Sequence, residues 1–255
     1  MTVNPCVVIP HYDHATPLAS TLSKLAPYDL PVMIVDDGSP AEVVATLSAM
    51  TETMPNVSVV FLPQNGGKGS AVIAGLREAW IHGYSHAVQV DADGQHDLSF
   101  LGRMLQESRA HDQALIATRP QYDESAPFSR LMGRKLTNFM VAVETLGTAL
   151  PDVMCGFRVY PLKAVIPLLG VQHLGQRMDF DIEIMVRASW EGLDIRYLAV
   201  PVIYPVRGVS HFRMFRDNVL ISLKHTQLVL GMLLRLPVLA REGRLWKKPV
   251  EVPVE

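Results

Sequence analysis

Two carboxylates stand two residues apart in Asp91-Ala92-Asp93, directly after the apolar run 87–90. If the chain turns at that point, both carboxylates can face the same hard cation. Mg²⁺ and Mn²⁺ take oxygen ligands, often from one or two carboxylates together with substrate phosphates. Gln95 adds a carbonyl oxygen two residues further on. Because ordinary surface turns also produce this pattern, its position in the fold must decide between a metal site and a turn.

A second acidic pair, Asp36 and Asp37, follows the apolar run 32–35. Carboxylates at this point suit hydrogen bonds from the N–H groups of a base or from ribose hydroxyl groups. The alternative is a turn in which Ser39 caps the following helix. Both can hold, since Ser39 can cap the helix while an aspartate faces a ligand.

The glycine-rich segment 65–69 (NGGKG) opens a helix-like segment. Glycines such as Gly67 let backbone N–H groups approach an anion, and a helix N-terminus favours negative charge. The spacing matches neither GxGxxG nor GxxxxGKS/T, so it indicates neither a dinucleotide fingerprint nor a P-loop. The alternative is a glycine-rich turn that binds nothing.

These segments are separated by a regular alternation of short apolar runs and longer helical patterns. The alternation predicts an α/β fold, a three-layer sandwich with a mostly parallel central sheet that binds ligands at the carboxyl ends of its strands. Strands are predicted at 6–10, 32–35, 57–62, 87–90, 115–117, 155–160 and 195–204. Helices are predicted at 17–25, 41–53, 68–82, 98–111, 127–148, 180–191 and 217–236.

The ordered segments VVIPHYDH, VDDGSP, NGGKGSAVIAG and DADGQH resemble the family 2 glycosyltransferases, which have the GT-A fold of nucleotide-diphospho-sugar transferases. Within that family the sequence is most similar to the branch of dolichyl- and polyprenyl-phosphate sugar synthases. The branch has an arginine at the end of the strand that follows DAD, matched by Arg119, and a D-x-x-x-G-F-R-x-Y segment, matched at 152–160. It also has an acidic helix start followed by R-A-x-x-x-G, matched at 180–183 and 187–192.

The resemblance covers residues 3–215 and implies an inverting transferase that takes a sugar from a UDP- or GDP-sugar with Mg²⁺ or Mn²⁺. It places the nucleoside at Asp36 or Asp37 and the metal at Asp93 with Gln95, with Asp91 near both the donor and the metal. His96 and Asp97 depart from the usual family pattern at this point. The implied donor-binding residues are Pro10, Tyr12, Asp36, Asp37, Gly67, Lys68, Asp91 and Ala92, and the implied catalytic residues are Asp91, Asp181, Arg119 and Arg158.

The acceptor is left open between a lipid phosphate and a hydroxyl group. A phosphate is already a nucleophilic anion and needs a cationic cradle, whereas a hydroxyl needs a carboxylate base, for which Asp181 is the first choice and Asp179 the second. Negative charge grows on the leaving diphosphate in either case, and a divalent cation and arginines stabilise it. The cradle candidates are Arg119, Arg130, Arg134, Arg207, His211 and Arg213.

Length and composition narrow the class of protein. The chain has 255 residues and a net charge of -2, which favours one large domain and argues against nucleic acid as a partner. Two isolated cysteines, Cys6 and Cys155, predict neither a disulfide framework nor a zinc site and fit the cytoplasm. The N-terminus lacks the pattern of a secretory signal, and Lys224, His225 and Arg235 argue against a transmembrane helix.

We expect a catalytic domain at 1–215 and a C-terminal helix with a basic tail at 216–255. The helix is apolar almost all round at 228–236, which indicates burial, a homodimer contact or an interfacial position in lipid. Trp246 and the basic residues around it would suit peripheral docking on the inner face of a membrane. A core helix with a solvated tail is the alternative. The basic residues are Arg241, Arg244, Lys247 and Lys248.

Other functional classes fit the sequence less well. A sugar-nucleotide pyrophosphorylase would show a loop rich in G-x-G-T-R after the first strand, where this chain has PHYDH. A Rossmann oxidoreductase would show its glycine fingerprint there. A non-catalytic nucleotide- or lipid-binding module would have lost the metal carboxylates, and both are present.

Overall fold

A computed structural model describes residues 2–13, 15–122, 128–146, 150–170, 174–201, 214–243 and 250–253, which form an α/β fold around an eight-stranded sheet. The strands are β1 Pro5–His11, β2 Val32–Asp36, β3 Val57–Phe61, β4 His86–Gln89, β5 Leu115–Gln121, β6 Arg158–Pro161, β7 Ile195–Pro201 and β8 Val250–Val252. The α-helices are α1 Ala15–Leu25, α2 Ala41–Thr53, α3 Lys68–Ile81, α4 Leu101–Ala110, α5 Phe128–Glu144, α6 Leu162–Val165, α7 Asp179–Trp190 and α8 Met214–Arg241.

The strand order is β3-β2-β1-β4-β6-β5-β7-β8. β6 runs antiparallel to both of its neighbours, and the other neighbouring pairs are parallel. The predicted mostly parallel sheet is therefore confirmed.

Successive side chains of the central strands point to opposite faces, because the side-chain period of a strand is two. Val7 and Ile9 join a core formed with α1, α2 and α4, whereas Cys6 and Val8 join a second core formed with α3, α5, α7 and α8. Helices thus cover both faces, and the predicted three-layer sandwich is confirmed.

The largest differences from the predicted elements lie in the second half of the sheet. β5 extends to Gln121 instead of ending at residue 117, because it pairs with β7 along its whole length. β6 begins at Arg158 instead of residue 155. β8 was not predicted, since three residues with little burial carry almost no pattern and depend on pairing with β7.

The C-terminal helix α8 is longer than the predicted 217–236 and contains Pro237. It packs against α7 and α5, and β8 beyond it returns to the sheet. The part Arg216–Arg241 is long and apolar enough to cross a membrane by length and composition, and 22% of its most apolar window is buried. Length and composition therefore do not exclude a membrane span, despite Lys224, His225 and Arg235. A single helix of this kind is nevertheless weak evidence for a span. The division at residue 215 stays a prediction.

Three strands bring the polar segments to one edge of the sheet. His11, the last residue of β1, is in register with Asp36, the last residue of β2. β4 lies on the other side of β1 and ends at Gln89, two residues before Asp91. The carboxyl ends of these parallel strands therefore place both acidic pairs at the same edge.

Candidate functional site

A partly buried lysine, whose side chain is 16% exposed, joins two carboxylates from different parts of the chain. Lys68 Nζ, at the start of α3, lies 2.9 Å from Asp91 Oδ2 and 2.9 Å from Asp181 Oδ2, which comes from the first turn of α7. Burial alone would favour the neutral amine, but the two carboxylates outweigh it and raise the pKa of Lys68. All three residues were predicted from the sequence to lie in the site, but their pairing with one another was not.

Asp181 is held by further donors. Gln89 Nε2 lies 3.4 Å from Asp181 Oδ1, and Arg158 Nη1 donates to the Asp181 backbone carbonyl at 3.0 Å. Arg158 is fully buried and also donates through Nη2 to the carbonyl of Val153 at 2.7 Å. Arg158 therefore ties α7 to the loop before β6. Asp181, a candidate base, has both of its carboxylate oxygens close to donors.

Asp91 and Asp93, the acidic pair after β4, differ in their surroundings. His96 Nε2 lies 3.2 Å from Asp91 Oδ2. Burial raises the pKa of Asp91, but the charges of Lys68 and His96 lower it by more, so the pKa lies below its ordinary value. The negative charge of Asp91 is therefore stabilised by its neighbours. The pKa of Asp93 is raised, first by burial and then by the charge of Asp91, although the Gln95 backbone N–H donates to it at 3.0 Å.

This arrangement fits a metal site that substrate phosphates complete better than one formed by protein side chains alone. Among the residues that the structure describes, no three His, Cys, Asp or Glu side chains converge as a cation cage. Mg²⁺ is commonly held by one or two carboxylates and by substrate phosphates, so such a cage is not required. Asp93, whose charge is destabilised by burial and by Asp91, is the carboxylate that a divalent cation would stabilise most.

Asp36 closes the turn after β2. Its side chain lies 3.0 Å from His11 Nδ1 and accepts from the backbone N–H of Ser39 at 2.9 Å and from the Ser39 hydroxyl at 2.5 Å. The prediction that Ser39 caps the next helix is wrong, because α2 begins after Pro40 and the Ser39 hydroxyl instead bonds to Asp36 and to the backbone N–H of Asp13. Asp36 is 1% exposed, and its direct contact with a nucleoside stays a prediction.

Asp37 holds the glycine-rich segment 65–69, here named the glycine turn. It accepts from the backbone N–H groups of Gly66 at 2.9 Å and Gly67 at 2.7 Å. Burial raises the pKa of Asp37, and these two bonds oppose the rise. The anion that approaches the glycine N–H groups in this structure is thus Asp37 itself, and contact of this turn with a donor stays a prediction.

Arg177 and Gly156, which were not among the predicted site residues, lie very close to residues that were. A Cβ atom on Gly67, which has φ +103°, would lie 2.5 Å from Arg177 Cγ, because the segment before α7 crosses the glycine turn. A Cβ atom on Gly156 would lie 2.5 Å from Gln89 Nε2 and 2.8 Å from Lys68 Nζ. The glycines in NGGKG and GFR were the available signal, since glycine often marks a close approach of backbone.

The remaining predicted residues are spread more widely. Pro10 and Ala92 are buried and Tyr12 is exposed at the same edge. Arg119 Nη1 lies 2.8 Å from Glu251 Oε1 on β8, and Arg134 Nε donates to Asp152 Oδ2 at 2.9 Å. The side chain of Arg130 and all of Arg207, His211, Arg213, Arg244, Trp246, Lys247 and Lys248 lie outside the described residues.

Residues 6–168 match the family Glycosyl transferase family 2. The undecaprenyl-phosphate mannosyltransferase of Micrococcus luteus is 28% identical over 213 residues, which cover 81% of this chain and 86% of that protein.

Two solved structures share the fold. The glucosyl-3-phosphoglycerate synthase of Mycobacterium tuberculosis, in complex with phosphoglyceric acid, has a TM-score of 0.64 at 16% identity and covers 91% of this chain and 80% of its own. The mannosyltransferase of Pyrobaculum calidifontis, in complex with GDP-Man and Mn²⁺, has a TM-score of 0.56 at 15% identity and covers 91% of this chain and 64% of its own.

Proposed function

Because this chain belongs to glycosyl transferase family 2 and is a glycosyltransferase of the GT-A fold, we propose that it moves a hexose from a UDP- or GDP-sugar to a polyprenyl or other lipid phosphate, with inversion. The resemblance to the polyprenyl-phosphate sugar synthases is confirmed by the Micrococcus relative. The observation that carries the proposal is the pairing of Lys68 with Asp91 and Asp181 at the carboxyl edge of the sheet, with Asp93 two residues after Asp91.

A divalent cation, Mg²⁺ or Mn²⁺, would be held by Asp93, with Asp91 and Gln95 as further ligands. When bound, the cation supplies a Lewis acid for the charge that grows on the leaving diphosphate. The GDP-Man and Mn²⁺ of the Pyrobaculum enzyme support this assignment. Lys68 keeps Asp91 ionised and fixes its orientation, so the acidic pair is organised before the donor arrives.

The state of Asp181 favours a phosphate acceptor over a hydroxyl. A general base must turn a carboxylate oxygen towards the acceptor proton, whereas Asp181 directs Oδ2 at Lys68 and Oδ1 at Gln89. A phosphate oxygen can attack the anomeric carbon without losing a proton, while the bond to the nucleoside diphosphate breaks. Arg134 and Arg119 are the described cations that we assign to the acceptor side, and Arg119 would have to leave Glu251 to take part.

A lipid acceptor brings the enzyme to a membrane, and two adjoining helices carry a surface suited to it. The outer apolar face combines exposed side chains of α5 and α8 with the exposed cations Lys135, Arg216 and Arg241. We assign this face to an anionic lipid surface on the cytoplasmic side. Its members are Met132, Leu136, Phe139 and Val143 on α5, and Val219, Leu223, Leu230, Leu233, Leu234, Leu236 and Val238 on α8.

Calorimetric titration with UDP, GDP and their sugars, with and without Mn²⁺, tests the donor site. We expect Asp93→Asn to abolish metal-dependent binding, because the carboxylate that the cation would neutralise is gone. Asp97→Asn is the matched control, since Asp97 lies in the same segment but bonds only to the short turn at Ser99.

Transfer to a polyprenyl phosphate and to the corresponding alcohol, under the same conditions, tests the acceptor. Product from the phosphate alone supports the proposal. Binding of no nucleotide, or full transfer by Asp93→Asn, would contradict it. Nucleotide binding without transfer to either acceptor would instead support a non-catalytic module.

A further inference from the structure

The segment 174–178, here named the strap, crosses the glycine turn just before α7. The Gln176 carbonyl accepts from the backbone N–H of Ser70 at 2.9 Å, in the first turn of α3. A Cβ atom on Gly69 would lie 2.7 Å from the Gln176 carbonyl carbon and 2.6 Å from Phe180 Cβ. The strap therefore sets the position of the turn that carries Lys68, the lysine of the candidate donor site.

The strap is anchored at its other end by a buried carboxylate. Glu183, which is 1% exposed, accepts from the backbone N–H of Gly175 at 2.7 Å. Arg187 Nη2 lies 2.6 Å from the other Glu183 oxygen, one turn along α7. The Glu183 carboxylate is thus the link between the strap and the helix that follows it.

The C-terminal helix supplies a second cation to the same carboxylate. Lys224 Nζ on α8 lies 2.7 Å from Glu183 Oε2, the oxygen that also holds Gly175. Lys224 lies 3.9 Å from Asp179 Oδ2 as well, at the start of α7. Removing one cation from a buried carboxylate is costly, so Lys224 contributes, together with Arg187, to holding Glu183 in place against the strap.

We propose that Lys224 is a positioning residue for the donor site, acting through Glu183 and the strap on the glycine turn. The proposal rests on the proposed function, and it assigns to the C-terminal helix a role in positioning the donor site. The order of contacts is Lys224, Glu183, Gly175, Gln176 and Ser70. A loosened strap lets the turn and Lys68 shift, which weakens the donor site without removing any group from it.

The test compares Lys224→Met with Arg235→Met in the full chain. Both variants remove a cation from α8 that pairs with a carboxylate near α7, but Arg235 meets Glu191 beyond the end of the helix, away from the strap. For Lys224→Met we expect the KM for the sugar nucleotide to rise about tenfold while kcat changes less than twofold. Arg235→Met should match the wild type.

Hydrogen exchange separates positioning from general loosening. In Lys224→Met we expect faster exchange in residues 174–178, with exchange in β1 and β4 unchanged. An unchanged KM with unchanged strap exchange overturns the proposal, and so does equal loosening of the strap and the central strands. Lys224→Arg, which keeps the charge, should recover most of the loss.

A second variant covers the case in which Lys224→Met does not fold. Glu183→Gln keeps the shape and an oxygen that can accept from Gly175, but removes the charge that attracts Lys224. We expect the same effects at about threefold, and wild-type values for KM and strap exchange would overturn the proposal. If the wild type binds no nucleotide sugar, the proposed function fails, whereas strap exchange still reports on the link from Lys224.

Discussion

At the scale of single residues, the site depends on side chains that meet across long stretches of sequence. Lys68, Asp91 and Asp181 come from three elements, and their charges compensate one another within 2.9 Å contacts. Close contacts of this kind leave little free space around the lysine. Position 156 requires glycine for this reason, because a side chain there would press against Lys68 and Gln89.

We therefore predict that Gly156→Ala lowers the transfer rate roughly tenfold to a hundredfold, since small misplacements in a preorganised site have effects of that size. Steady-state kinetics with saturating donor provide the measurement, and thermal unfolding checks that the fold persists. Gly170→Ala is the control, because a Cβ there would have no atom within 4 Å. Equal rates for the two variants would contradict the close packing around Lys68.

The types and positions of the acidic residues could be predicted from the sequence, but their partners could not. Asp36 ends a strand and Asp37 and Asp91 follow one, and a parallel sheet brings such residues to one edge. Their hydrogen bonds depend on which loops meet there. Asp37 turned out to hold the glycine turn 30 residues away, a contact that local spacing does not encode.

At the scale of elements, β1, β2 and β4 were predictable because they are buried on both faces and read as short apolar runs. The polar end of β5 and the short β8 were not, because pairing with β7 stabilises them and their own pattern is weak. β4 also begins one residue earlier than predicted, at His86, whose polar side chain interrupts the pattern although it is buried.

His86 makes the stability of β4 sensitive to pH. Burial lowers the pKa of His86, whose ring lies 3.1 Å from the Asp112 carbonyl and 2.9 Å from the Ser85 hydroxyl. Below about pH 6.5 the unfolded chain takes up a proton at this position that the folded chain resists. The unfolded state then binds more protons, so the free energy of unfolding falls as the pH falls through this range.

We predict that His86→Gln reduces this dependence. Urea unfolding at intervals between about pH 7 and pH 5 gives the free energy of unfolding, and the variant should lose less of it on acidification than the wild type. The same change at the exposed His82 is the control. A variant whose stability falls as steeply as that of the wild type would show that His86 does not contribute.

At the scale of the whole molecule, α8 exposes a large apolar surface although Leu228, Met232 and Leu239 already bury an apolar face in the core. Its inner face carries Asp217, Lys224 and His225, all buried, and His225 Nδ1 lies 2.6 Å from Glu144 Oε1 on α5. Its outer face is lined by exposed leucines and valines. Exposed apolar side chains in this number are explained by a second apolar surface that covers them, and for the proposed lipid-phosphate acceptor that surface would be the membrane.

We predict that the wild type floats with vesicles containing anionic lipid and that the double variant Leu233→Glu and Leu234→Glu binds them at least about a hundredfold more weakly. Each leucine transferred from water contributes roughly 1.5–3 kcal/mol, and the added carboxylates repel the anionic surface. Ile81→Glu is the control, because Ile81 is 73% exposed on α3, away from the outer apolar face. Raising the salt concentration should weaken binding further, since Lys135, Arg216 and Arg241 border this face.

A homodimer is the competing explanation, and the same variants distinguish it. If a second copy covers the outer apolar face, sedimentation would show a dimer for the wild type and a monomer for the double variant, with no flotation of either. If lipid covers it, the wild type and the double variant sediment alike, and the double variant loses only its flotation with vesicles. Because Lys224 lies on the inner side of the same helix, the lipid result would also place the membrane one helix away from the strap that positions the donor site.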